Sequence, residues 1–344
     1  MLPVLRAPYL LFLGDVQAIS DAKTAFGIAY WRREQCCGQL RLPGCKADTG
    51  LPELDLEQAK QAGARSLIIG IAAVGGAFQP QWIDTIRAAA GLGLDIVSGM
   101  HSSLHEIPGL TELAAAHGAR LIDVRVPPRG LRIANGARRS GRRLLTVGTD
   151  CAVGKKYTAL SLDRALRERG RNSTFRATGQ TGIMIAGSGI PIDAVVSDFV
   201  AGAAEALSPA NDANHWDIVE GQGSLFNPCF AAVTLGLLHG TQPDALVLCH
   251  DLSRTSIEDV EGYPIPPLDL CIARYVEAAR LTNPGVRCIG IAVNGSGLAP
   301  ADYLKARAAI EAETGLPCVD PIHDGVDALV DALDAAFGTV GSPP

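Results

Sequence analysis

The sequence carries no surplus of positive charge: 30 lysines and arginines stand against 36 aspartates and glutamates, giving a net charge of −6 and an isoelectric point near 5.7. Such a balance argues against a general nucleic-acid or anionic-membrane surface and favours small-molecule ligands. The chain also lacks any C-x-x-C pair. Its nine cysteines, including the adjacent Cys36-Cys37, are odd in number and scattered. They read as separate thiols, without a disulfide framework or zinc site, and point to a reducing cytoplasm. Long apolar runs are missing too: Tyr9–Leu13 is too short for a signal-peptide core, and no later run reaches membrane-spanning length. Internal repeats and low-complexity tracts are absent. What is there, 47% apolar and 19% charged residues over 344 positions, describes a well-cored chain expected to form two domains.

Short apolar strand candidates recur at Tyr9–Leu13, Ser66–Ile71, Asp95–Ser98 and Leu121–Val124, separated by helical stretches such as Gln81–Ala90 and Leu110–His117. This βαβ rhythm predicts a Rossmann-like α/β domain over residues 1–126. Residues 127–142, rich in Pro, Gly and Arg, read as a basic linker with a solvated surface, although Arg142 and Arg143 stand near enough in sequence to serve an anion at the loop that follows. Alternation resumes over 143–344, with strands near Ser173–Ala177, Asp217–Val219, Ala245–Cys249 and Arg287–Val293. Helices are expected at Asp198–Leu207, Leu270–Leu281, Ala301–Glu313 and Val326–Ala336. A second α/β domain of the P-loop type, with a mostly parallel sheet, is the expected architecture. Its ligand should lie at the carboxyl ends of the strands.

The stretch from Arg143 to Thr158 is a strand, a glycine-bounded loop and the start of a helix. Gly148, Thr149, Asp150, Cys151, Ala152, Val153 and Gly154 offer backbone N–H groups to an anion, and Lys155 supplies a cation where the helix dipole favours negative charge. The usual phosphate loop has four residues between its glycines and a Ser or Thr after the lysine to hold Mg²⁺. Here five residues intervene, and Lys156 takes the hydroxyl's position. Thr158 comes two residues later in the helix, so phosphate binding is better supported than phosphoryl transfer. No resident metal is expected.

Other strand ends carry further candidates. Glu220 closes the run Trp216–Glu220 and is followed by Gly221-Gln222-Gly223; it can ligate a metal, act as a base towards an amine, or hydrogen-bond the loop. Thr178, Gln180 and Thr181 lie in a stretch dense in glycine and hydroxyls, suited to close contact with a substrate. Asp198 fits helix capping as well as substrate binding. His101 and His105 follow Asp95–Ser98, where an imidazole can take a proton near neutral pH. Lys23 and Thr24, after the first strand, could hold a carboxylate.

Together these residues carry a resemblance. Gly148–Lys155 is similar in spacing to the phosphate loop of dethiobiotin synthetase, and Val219–Gly223 looks like that enzyme's acidic-glycine motif. The loop, Ala177–Gly202, Glu220–Pro228 and Leu235–Pro243 more closely resemble a family that includes the DgcN-type D-glutamate N-acetyltransferases. Gly75-Gly76, Ser98–His101 and Asp123–Arg125 extend that likeness into the first domain. The resemblance implies transfer of acetyl from acetyl-CoA to the amine of D-glutamate or a related D-amino acid. On that reading Lys155 and Lys156 bind the phosphates of acetyl-CoA, the loop N–H groups cradle them, and Glu220 or His101 deprotonates the amine. Two rival readings stand beside it. One is an ATP- or GTP-dependent kinase or ligase with Thr158, Asp150 or Glu220 recruiting Mg²⁺. The other is a nucleotide-binding regulator without turnover. A small-molecule substrate, no nucleic acid, no membrane and a homo-oligomeric state complete the expectation.

Overall fold

The short apolar runs become strands covered on both faces, as a parallel sheet with helices on each side requires. A computed structural model describes residues 4–72 and 76–338; Gly75 of the Gly75-Gly76 pair lies outside the described residues. The chain begins with β1 (Tyr9–Gly14), α1 (Lys23–Trp31), β2 (Cys36–Arg41), α2 (Leu56–Gln61) and β3 (Ser66–Ile69). It continues through α3 (Pro80–Gly91), β4 (Asp95–Ser98), α4 (Leu110–Ala116) and β5 (Leu121–Asp123). Then come β6 (Arg142–Gly148), α5 (Lys155–Glu168), β7 (Ser173–Arg176), α6 (Gln180–Ala186), α7 (Val200–Leu207) and β8 (Trp216–Val219). The last elements are α8 (Ala231–Thr241), β9 (Ala245–Asp251), α9 (Leu268–Arg280), β10 (Arg287–Asn294), α10 (Pro300–Thr314), β11 (Cys318–Val319) and α11 (Asp327–Phe337).

Two compact units result. Their boundary falls between Pro127 and Pro128, and the excursion Gly179–Pro191, which contains α6, belongs to the first unit although both its flanks belong to the second. The first unit has one sheet in the order β2-β1-β3-β4-β5, with every pair parallel. Within that unit α6 packs on α1, where the buried hydroxyls of Thr24 and Thr181 lie 2.9 Å apart. The glycine- and hydroxyl-rich stretch expected to contact a substrate is thus partly a helix with a buried face.

Asp95 is the most consequential charge in the first unit. It is fully buried at the start of β4 and accepts from Arg6 Nε at 2.6 Å, Arg120 Nε at 2.9 Å and the Arg120 backbone N–H at 2.8 Å. Burial pushes its carboxyl upward, but the hydrogen bonds from Arg6 and Arg120 outweigh that and hold it below the ordinary aspartate value. The sign of the linkage follows: the stabilisation is present above the unfolded-state pKa and is lost as pH falls through the lower folded value. Asp95→Asn is expected to cost about 2–4 kcal/mol at neutral pH, discounted for the part-exposed arginines, and to flatten the acid limb of stability. Urea denaturation of both proteins from neutral to acid pH checks this; equal stability of the two at neutral pH would refute it.

The second unit's sheet runs β11-β10-β9-β6-β8-β7, again parallel throughout. From β6 the chain first goes to the edge strand β7 and returns to β8 between β7 and β6, then crosses to β9, β10 and β11 on the other side of β6. The loop after β6 therefore sits at the topological switch point, where open α/β sheets bind ligands. Helix α5 is buried at Lys155, Thr158, Ala159, Leu162 and Leu166, the i, i+3, i+4, i+7, i+11 spacing of a core face, and also at Leu160, Ser161 and Asp163 in its middle.

In segment 127–142 Arg129, Arg132 and Arg138 are exposed, as expected of a solvated surface, whereas Arg139, and Arg142 and Arg143 at the start of β6, are committed to structure. Arg139 donates from Nε to Ser208 O at 2.9 Å and from Nη2 to Gly240 O at 2.7 Å, satisfying carbonyls at the ends of α7 and α8. Burial and the nearby Arg143 lower the pKa of Arg139 to about 10. Arg143 is itself buried and donates to Ser140 O at 2.9 Å. Arg142 stacks 5.7 Å from the rings of Trp216 and Phe337. Both start β6, at the opposite end from the phosphate loop, so neither serves an anion there. The same segment explains Gly202: a Cβ there would lie 1.8 Å from Arg132 O, so only glycine lets the segment run over α7.

Candidate functional site

In the second unit, the loop between β6 and α5 has the form of an anion nest. Ala152 and Gly154 both have positive φ, 54° and 99°, which turns successive N–H groups towards one side. The N–H groups of Ala152, Val153, Gly154 and Lys155 donate to no acceptor among the described residues. Lys155 is buried, and burial lowers its pKa; its Nζ donates to Asp150 O at 2.7 Å, folding the cation back over its own loop.

Asp150 is an anchor for this loop. Its Oδ1 accepts from Cys151 N at 2.6 Å and Asn227 Nδ2 at 2.9 Å, and its Oδ2 from Arg254 Nη1 at 3.1 Å and Glu258 N at 2.8 Å. Four donors saturate both oxygens of a fully buried carboxylate, which leaves it unsuited to hold Mg²⁺. Thr158 is likewise spent: its hydroxyl donates to Gly154 O at 3.1 Å, one turn back, and lies 3.5 Å from Cys249 Sγ. Lys156 is half-buried, its ammonium 5.1 Å from the Tyr157 ring centroid. Gly148 closes the loop's base, its carbonyl accepting from Ser224 Oγ at 2.8 Å and Tyr275 OH at 2.7 Å.

Glu220 stands beside this loop at the end of β8, 4% exposed. Its Oε2 accepts from Thr178 N at 3.0 Å, and Thr178 Oγ1 donates to Glu220 O at 2.7 Å, so the two residues fix each other. Gly221 follows because nothing larger fits: a Cβ there would sit 1.8 Å from Thr146 O and 2.9 Å from Lys155 Cδ. Its N–H donates to Thr146 Oγ1 at 3.0 Å, tying the β8 end to β6.

Each of the remaining predicted residues has its own setting within its unit. Gln180 and Thr181 belong to the first unit, where Gln180 Oε1 accepts from Arg125 Nε at 3.2 Å. Arg125 also donates to Gly99 O at 2.7 Å and places Nη1 3.1 Å from His101 Nε2. His101 is exposed; His105 turns away to Thr111, 3.3 Å from its hydroxyl. Asp198 is exposed on the short turn Ser197–Phe199 before α7. Among the described residues no three His, Cys, Asp or Glu side chains converge as a metal site, and no helix is long and apolar enough to cross a membrane.

Sequence reading missed several residues around the loop: Arg254, Glu258 and Tyr275, which hold it, and His250. His250, at the end of β9, has Nδ1 3.0 Å from Thr149 Oγ1, and Thr149 N donates to Cys249 O at 3.0 Å.

These features define a two-unit α/β protein: a Rossmann-like unit and a P-loop-type unit whose loop is arranged for an anion. Residues 132–330 match the domain of unknown function DUF1611, described as its C-terminal P-loop domain, and residues 40–127 match its N-terminal Rossmann-like domain. The chain belongs to the DUF1611 family. It is 47% identical over 332 residues to a D-glutamate N-acetyltransferase of Tritonibacter scottomollicae, covering 96% of this chain and 100% of that one. A D-glutamate N-acetyltransferase of a Pseudoalteromonas species is 45% identical over 96% of this chain and 99% of its own length. The crystal structure of a DUF1611 family protein from Anabaena variabilis superposes with a TM-score of 0.87 at 34% identity, covering 96% of this chain and all of that one.

Proposed function

We propose that this protein is an N-acetyltransferase that moves acetyl from acetyl-CoA to the amine of D-glutamate or a related D-amino acid. The observation that carries the reaction type is the phosphate loop itself. It keeps the nest and buried Lys155, yet has Lys156 in place of the metal-holding hydroxyl, and it ties up Thr158 and Asp150 within the fold. The substrate class follows from likeness along nearly the whole chain to two enzymes of that name.

The nest and Lys155 would hold the pyrophosphate of the cofactor, a role that needs no aligned γ-phosphate. When bound, acetyl-CoA supplies an activated acyl carbon. The amine must lose a proton before it can attack, and two residues compete to accept it. Glu220 is buried beside the loop; His101 is exposed in the first unit. Because the pantetheine arm separates thioester from phosphates, the base need not touch the loop. A homo-oligomeric state remains part of the proposal, open to light scattering.

The test compares acetyl-CoA with Mg²⁺-ATP by calorimetry, followed by mass spectrometry after incubation with D- and L-amino acids. An N-acetylated D-amino acid is the expected product. Turnover is expected to survive exhaustive chelation by EDTA, since a lysine occupies the metal-ligand position. Activity abolished by chelation and restored by Mg²⁺ would replace this reading with a kinase or ligase.

A further inference from the structure

His250 has a specific place beside the phosphate loop. It lies on β9, whose register with the loop strand pairs Cys249 with Gly148, so the next residue on β9 adjoins the first residue of the loop. Its Nδ1 is fixed by the Thr149 hydroxyl at 3.0 Å. Its Nε2 has no hydrogen-bond partner among the described residues, and it is not one of the polar atoms sealed from solvent without a partner. One ring nitrogen is thus held by the loop while the other is open, beside N–H groups that also lack acceptors.

We propose that His250 is part of the anion site, its Nε2 binding an oxygen of the phosphate group seated on the loop and taking up a proton as that group binds. This rests on the phosphate-binding part of the reading above and is independent of the acyl acceptor.

Charge supports the coupling. Burial lowers the imidazole's pKa, Asp251 opposes that shift and Arg254 reinforces it, so without ligand the ring stays neutral at neutral pH. The phosphate loop on one side contributes Lys155 and Asp150, the latter paired with Arg254; on the other side β10 sets Val293 against His250, and Asn294 binds Asp251 at 2.9 Å. A phosphate oxygen beside Nε2 adds a further negative charge to that of Asp251 and raises the ring's pKa. Affinity for the anion should then fall as pH rises through the bound-state pKa, with proton uptake greatest between the free and bound values.

The experiment is titration calorimetry of the full chain with CoA and with inorganic pyrophosphate, in two buffers of different ionisation enthalpy, from about pH 6 to 9. Wild-type protein is expected to take up a fraction of a proton on binding. H250Q is expected to lose that uptake, to bind about tenfold more weakly, and to show a flatter pH dependence. T149V, which removes the hydroxyl but keeps the side-chain shape, should reduce uptake partially. Histidine ring resonances in the wild-type protein give a readout that needs no variant: the His250 pKa should rise on addition of pyrophosphate. Unchanged affinity and proton uptake in folded H250Q, or an unshifted ring pKa, overturns the proposal while leaving the phosphate-loop reading intact. Failure of wild-type protein to bind either probe overturns both. Absence of acetyl transfer with binding preserved counts only against the transferase.

Discussion

Glu220→Gln is expected to lower kcat by roughly 10²–10⁴-fold, the range for loss of a general base, with little change in affinity for acetyl-CoA. The substitution separates chemistry from structure. The carboxylate accepts from Thr178 N at 3.0 Å, and a glutamine carbonyl oxygen can accept the same bond, so the β8 end and its hold on Thr178 should survive. What is lost is an oxygen able to take a proton from a substrate ammonium. A structural role would lower stability or affinity and leave the shape of the pH–rate profile alone. A base role removes the limb on which rate rises as the carboxylate ionises. Steady-state kinetics across pH, with thermal unfolding as a control for folding, checks this. Near-normal turnover in this variant, alongside a folded but inactive His101→Asn protein, would move the base to the first unit.

Much of the fold was legible because parallel strands covered on both faces leave uninterrupted apolar runs: Tyr9–Gly14 and Ala245–Cys249 are buried along their whole length. Elements held by tertiary contact were harder to read. The edge strand β2, Cys-Cys-Gly-Gln-Leu-Arg, is only half-buried at three of its six positions and carries no clear alternation. Helix α6 opens with Gln180-Thr181-Gly182, where Thr181 and Gly182 are poor helix formers whose conformation is supported by packing on α1. Helix α8 contains Gly236 and Gly240, unfavourable in isolation, yet a Cβ at Gly240 would lie 2.0 Å from Ala201 O, so the glycine is what lets α7 and α8 approach.

The site divides along the same line. Gly148–Lys155 was readable because its parts are contiguous in sequence. The role of Asp150 was hidden, since its partners Asn227, Arg254 and Glu258 come from segments far along the chain and only the fold assembles them. His250 was within reach. It ends the apolar run Ala245–Cys249, and the strand-end rule that singled out Glu220 applies to it equally.

Lys155→Met is expected to move two measurements in opposite directions: binding of CoA or pyrophosphate should weaken by about 10- to 100-fold, while the unliganded protein becomes more stable. The loss of affinity follows from removing a charge-assisted contact. The gain in stability follows from burial. The ammonium is enclosed, it donates to the neutral carbonyl of Asp150, and burial holds its pKa below the ordinary lysine value. A cation kept so is a cost to folding that a methionine of similar length avoids, less about 1 kcal/mol for the bond to Asp150 O. The sign in pH is fixed by the direction of the shift. Between the lowered folded pKa and the unfolded value near 10.4 the unfolded chain binds more protons, so wild-type stability from this group rises with pH. The advantage of the methionine variant should therefore be full below the folded pKa and shrink as pH climbs towards that of free lysine. Thermal unfolding across that range, paired with calorimetric titration of CoA, tests both halves. A variant that binds as wild type would remove Lys155 from the anion site. One that binds weakly but is also less stable would mean that the lysine's bond across the loop is worth more to the fold than its burial costs.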